Sequence, residues 1–167
     1  MRRNGIVEHI YVEPNLHEPL GKRIVIALNH ALSKACLEDY DYLLRVDADV
    51  MLPKRFIEEN LKVKADCVGT AGYAVLLKMN CFIKVFNGQF PEVAVEDTYI
   101  ALKLLSLGYS VKPWVLPPIL KRKSGTCHSW RYHFIRGVEM YKLGYEPLHV
   151  VDVLYHDLRR DLRSVFS

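Results

Sequence analysis

Two aspartates stand two positions apart in Leu43-Leu44-Arg45-Val46-Asp47-Ala48-Asp49-Val50-Met51-Leu52-Pro53. The apolar run 42–46 in front of them reads as a short buried strand. Asp47 and Asp49 then emerge where its carboxyl end meets solvent, and both can point into one crevice. Oxygen-only ligands of this kind suit Mg²⁺ or Mn²⁺, with waters and phosphate oxygens completing the shell. A similar pair, Asp39 and Asp41, precedes the strand and reads as a solvated turn. A second acidic group, Glu96-Asp97, opens a helical segment. Carboxylates in a helix's first turn serve as caps or dipole partners. Held in a partly dry cleft near a metal, one can instead act as a general base. The third group is Lys121-Arg122-Lys123, followed by His128. Three cations in a loop suit a diphosphate, and a neutral imidazole can add a metal ligand. The plainer reading is a solvated basic loop whose histidine caps the next helix. His9, His17, His30 and His149 show no ligand spacing and read as structural.

The elements that must position these groups alternate along the chain. A strand is expected at 6–12, broken by Pro14, and a helix at 23–36, where apolar residues recur at helical spacing. The strand 42–46 follows, and Pro53 sits where a helix over 56–64 can begin. A strand over 67–73, a partly helical stretch over 76–86 and a turn at Asn87-Gly88 come next. The helix 95–107 stops at Gly108. A strand over 109–116, a basic loop over 117–126 and helices over 132–143 and 150–166 complete the pattern. Alternating strands and helices predict an α/β fold with a mostly parallel sheet, whose ligands bind outside the carboxyl ends of the strands. The expected organisation is one domain over 1–149 with a terminal amphipathic helix, 150–167. That helix packs on the domain, makes a homodimer contact, or lies on a membrane surface as a peripheral contact.

Composition narrows the function classes. The chain has 167 residues, 50% apolar and 25% charged, which suffices for a core without disulfide or metal. With 23 basic against 19 acidic residues, the net charge of +4 suits a protein that handles phosphates. It falls short of the basic stripe of a non-specific nucleic-acid binder, so no nucleic-acid partner is expected. Cys36, Cys67, Cys81 and Cys127 form no CxxC pair and read as free thiols in a reducing, cytoplasmic setting. No run is long and apolar enough for a membrane span, and the start lacks the apolar core of a signal peptide. No Gly-x-x-x-x-Gly-Lys-Ser/Thr loop marks a nucleotidyltransferase or other phosphoryl-transfer enzyme.

Taken together and in order, these blocks resemble the family 2 glycosyltransferases, which have the GT-A fold. Gly21-Lys22 with Ile26-Ala27-Leu28-Asn29-His30-Ala31-Leu32 is similar to that family's "GK…A.N.AL" helix. Leu44 to Pro53 is similar to its "LDADxxLPP" strand end, and Ala65-Asp66-Cys67-Val68-Gly69 to "ADVVGG". Gly88 to Glu92, Glu96-Asp97 and Leu104 to Tyr109 are similar to "GGFDE…EDxDLxLRLxxxGY". The resemblance covers roughly 6–145 and places Met1 near the family's third strand, so the usual first βαβ elements are expected to be lacking. It implies a metal-dependent, inverting transferase using a nucleotide-sugar donor and a hydroxyl on a glycan, protein or lipid-linked acceptor. Asp49 would be a direct ligand of Mn²⁺ or Mg²⁺, with Asp47 supporting the ribose or the metal's waters. His128 stands where some relatives supply a further metal ligand. Asp97 would be the base, with Glu96 alongside. Lys22, Asn29, Arg45, Lys121, Arg122, Lys123 and Arg131 would lie on the donor side, and Trp130 and Glu92 on the acceptor side. Trp130-Arg131 is only loosely similar to the "QxxRW" of polymerising members, so no processive polymerase is inferred. Arg45 replaces an apolar residue of the family. By alternation it faces the same side as Asp47, where it either neutralises the acidic pair or contacts a phosphate. The alternative is a non-catalytic GT-A-like binding or scaffold protein without the nucleotide-gripping half.

Overall fold

In the computed structural model, residues 10–13, 18, 20–69, 73–93, 96–121 and 130–165 are described. The centre of the fold is β4 (Ala74–Lys78), a run of four buried apolar residues ending in Lys78. It lies between β1 (Tyr42–Val46) and β3 (Cys67–Val68), and β5 (Val111–Lys112) closes the four-stranded sheet in the order β1-β4-β3-β5. A separate two-stranded ribbon pairs β2 (Val50–Met51) with β6 (Ile119–Leu120).

Side-chain alternation along β4 sorts the core into two layers. Val75 and Leu77 join a cluster with Val25 of α1 (Leu20–Leu32), Phe82 of α3 (Met79–Phe86), and Ile100 and Leu104 of α4 (Glu96–Ser106). Leu76 faces the other way, onto Ala65, Val68, Leu44, Leu61 at the end of α2 (Phe56–Leu61), and Trp114. The chain closes with α5 (Trp130–Lys142) and α6 (Pro147–Val165).

The result is a mixed α/β fold with a small, partly parallel sheet. β4 runs antiparallel to both β1 and β3, and among the described residues only β3 and β5 are parallel. The expected mostly parallel sheet is therefore corrected. The connection from β3 to β4 is too short to hold a crossover helix, and a short return leaves only the antiparallel arrangement. Of the stretch 76–86, expected to be partly helical, 79–86 is α3 and 76–78 belong to β4; an apolar run buried on both faces carries no period that separates strand from helix. α1 ends at Leu32, not at 36, where Ser33 Oγ donates to the His30 carbonyl at 2.8 Å. The strand expected over 109–116 is reduced to β5, and β6 falls inside the stretch expected as a loop; Pro113, Pro117 and Pro118, which cannot donate to a ladder, lie between them. Residues 10–13 form no strand, and the rest of the strand expected at 6–12 lies outside the described residues. The terminal helix starts at Pro147, so it crosses the boundary expected at 149/150. Among the described residues, no helix is long and apolar enough to cross a membrane.

One glycine is required by packing. Gly69 has φ +103°, and a Cβ there would fall 2.3 Å from the Trp114 ring. The indole thus lies on the backbone just past β3 and meets Phe56, at the start of α2, with ring centroids 4.9 Å apart and the rings tilted by 47°.

Candidate functional site

β1 delivers two kinds of charge to the same face of the sheet. Arg45 pairs in register with Val75. Directly opposed residues share a face, so Arg45 points toward the α1/α3/α4 layer. There it meets Glu96, which heads the buried stripe Glu96–Ile100–Leu104 at helical spacing. Arg45 Nη1 lies 2.7 Å from Glu96 Oε1, and both side chains are more than nine-tenths buried. Arg45 Nη2 reaches Asp47 Oδ1 at 3.2 Å. One guanidinium therefore joins the aspartate turn after β1 to the acidic start of α4.

Glu96 titrates abnormally. Burial pushes its carboxyl above the ordinary carboxylate range; the nearby Arg45 charge partly offsets that, and the neighbouring Asp97 adds to it. Asp97 lies one residue further round the helix and is only half buried.

The aspartate turn is fixed by backbone bonds. Asp47 N–H donates to the Tyr73 carbonyl at 2.9 Å, and Val50 N–H to the Asp47 carbonyl at 3.1 Å. The β2–β6 ribbon then brings the far end of the chain alongside. Immediately after β6, Lys121 N–H donates to the Asp49 carbonyl at 3.0 Å. The first residue of the basic stretch thus sits against the second aspartate of the turn.

Three expected site residues, Asn29, Glu92 and Lys22, are placed otherwise than against this turn. The Asn29 amide is engaged with the backbone of Phe90, donating to its carbonyl at 3.0 Å and accepting from its N–H at 2.7 Å. It anchors the segment that carries Glu92, which is exposed. Lys22 pairs with Glu18 one turn away at 3.0 Å. Trp130, with Arg131, opens α5, and their side chains lie outside the described set, as do Arg122, Lys123 and His128.

Asn60 belongs to the site's support and was not anticipated. Fully buried, it donates to the Phe56 and Leu116 carbonyls at 2.9 Å each and accepts from the N–H groups of Val115 and Leu116. It therefore fixes the chain that leads into β6. An asparagine within the otherwise apolar and acidic run 56–61 was the signal available. Cys67 and Cys81 are buried free thiols, pushed by burial up to about 12 and about 11, so they stay protonated and unreactive.

Among the described residues, no group of three or more His, Cys, Asp or Glu side chains could hold a metal ion. Asp47 and Asp49 offer two carboxylates on one turn. This fits the hard-cation habit of taking one or two carboxylates and completing the shell with waters and substrate phosphates.

No protein-family model matches the chain, and no curated protein matches it. Among solved structures it is similar to the mannosyltransferase PcManGT from Pyrobaculum calidifontis, in complex with GDP-Man and Mn²⁺. The identity is 16% over 81% of this chain and 52% of that one, with a TM-score of 0.49. The chain spans about half the length of that protein, and a likeness this loose assigns neither fold nor chemistry.

Proposed function

We propose that the chain is a metal-dependent glycosyltransferase, moving a sugar from a nucleoside-diphosphate donor to a hydroxyl acceptor with inversion. The observation that carries this reading is the Arg45 bridge, which puts the Asp47/Asp49 turn and the Glu96-Asp97 helix start at one end of β1. Two acidic groups with separate tasks, beside the first residue of a basic stretch, form the arrangement that single displacement at an anomeric carbon needs.

In this reading Asp47 and Asp49 hold Mn²⁺ or Mg²⁺. When bound, the ion screens the diphosphate's charge. Lys121, with Arg122 and Lys123 following in the sequence, adds positive charge on the donor side. Asp97 takes the proton of the acceptor hydroxyl as its oxygen bonds to the anomeric carbon. The bond from that carbon to the diphosphate breaks, and the nucleoside diphosphate leaves with the electron pair. Glu96, engaged with Arg45, sets the helix that presents Asp97.

The test is hydrolysis or transfer of sugar nucleotides with Mn²⁺ or Mg²⁺. The expected result is metal-stimulated turnover that is lost in Asp49→Ala. Intact donor across several nucleotides and both metals would overturn it.

A second reading, a non-catalytic binding module, is favoured by one observation. Arg45 already engages Asp47, one of the two carboxylates offered to a metal. Nucleoside-diphosphate binding by calorimetry without turnover would select that reading.

A further inference from the structure

α2 seats the chain that leads into β6 at two points. Phe56 meets the Trp114 ring, which itself lies on Gly69. Asn60, four residues on and so on the same helix face, commits its whole amide to the next two residues and to its own helix. Its nitrogen donates to the Phe56 and Leu116 carbonyls, and its oxygen accepts from the N–H groups of Val115 at 2.9 Å and Leu116 at 3.3 Å. Both donors and both lone pairs of the side chain are used.

That seat is passed on stiffly. Only Pro117 and Pro118 separate Leu116 from β6. Each proline has a fixed φ, and the residue before each is confined to extended backbone. Ile119 and Leu120 then pair with Met51 and Val50, and the Lys121 N–H reaches the Asp49 carbonyl at 3.0 Å. A ribbon of two residue pairs does not hold itself in place unaided. Lys121 therefore takes its position from the anchor at 114–116.

We propose that Asn60 is a positioning residue for the donor diphosphate: through the diproline link it sets where the basic stretch begins beside the Asp47/Asp49 turn. This rests on the glycosyltransferase reading above and adds a residue that touches no substrate. The aspartate turn is then supported from both layers of the sheet. The acidic helix start reaches it through Arg45 on the α4 side, and the basic stretch is set against it from the α2 and Trp114 side.

Two variants of the full chain test this. Asn60→Leu keeps the bulk of the side chain and removes the clamp. Pro117→Gly, at an exposed position, leaves the clamp intact and loosens the link. Calorimetry measures binding of UDP, GDP, ADP and dTDP, each with Mn²⁺, and hydrogen exchange follows the Lys121 amide against that of Leu77. Asn60→Leu should weaken binding by about 10- to 100-fold, the range for losing a partner that orients a site from behind. Pro117→Gly should weaken it by about two- to fivefold. It should also speed exchange at Lys121 while Leu77 is unchanged. In donor hydrolysis KM should rise more than kcat falls, a split that loss of fold alone does not produce. If Asn60→Leu does not fold, Pro117→Gly decides. Binding and Lys121 exchange unmoved in that variant would overturn the proposal while leaving the glycosyltransferase reading intact. An unmodified chain that binds none of the four nucleotides would overturn that reading, and the donor role of Asn60 with it.

Discussion

Asp66 and Glu96 are both acidic residues that tie elements together, and they do so under opposite conditions. Asp66 splices β3, β4 and β5 at the partly exposed edge of the sheet. Its two oxygens take the Lys78 ammonium at 3.0 Å and the Ser110 N–H at 2.9 Å. These bonds, the Ser110 one foremost, hold its carboxyl below its ordinary value of 3.8. Glu96 has a closer ion pair, yet burial pushes it above its ordinary 4.5. The comparison separates a carboxylate that serves the fold from one that is held at a cost. Strained ionisation of that kind concentrates at functional sites.

The pH dependences follow with opposite signs. Asp66 contributes stability that is present above about pH 4 and is lost as pH falls through its lowered value. Glu96 binds its proton more tightly in the folded state. Its contribution is therefore fullest below its ordinary value and declines as pH rises through its raised one.

The largest test of the contrast is Arg45→Met. It strands a buried carboxylate, so urea denaturation should show a loss of about 4 kcal/mol. The double variant Arg45→Met/Glu96→Leu should regain most of that stability, because an apolar pair of similar volume replaces a buried ion pair at little cost. It should not regain metal-stimulated donor turnover, which is the readout that separates a site device from a structural one.

Next is Asp49→Ala, with turnover expected to fall by about 100-fold or more and a melting temperature near that of the unmodified chain. If stability fell while turnover persisted, the turn would be structural, like Asp66. Asp66→Asn should cost about 1–2 kcal/mol by denaturation near neutrality, and the acid limb of its stability profile should flatten below about pH 4. The smallest effect is expected for Lys78→Met. That pair is about a third exposed at the lysine, and such pairs contribute about 0.2–1 kcal/mol.

Part of this contrast could be read before any coordinates. Asp47 and Asp49 do follow a strand's carboxyl end, and Glu96 does open a helix, because a short apolar run and a helix stop at Gly108 are local signals. The Arg45 bridge was open to two readings, since its partner lies 51 residues away and no local pattern names it. The antiparallel sheet and the Asn60 and Asn29 clamps were hidden for the same reason. Each depends on which backbone passes by in three dimensions, and propensity is silent about that.

The β2–β6 ribbon has a kinetic consequence. It joins positions separated by nearly half the chain and offers only two residue pairs in return. Loop closure over that distance must be met by few contacts, so the ribbon forms after the four-stranded sheet and opens before it. Hydrogen exchange should therefore be faster at the Lys121 amide than at Leu77 in the sheet's centre. Lys121 then joins the aspartate turn after the sheet has formed, and a nascent chain acquires that contact only once its core is already in place.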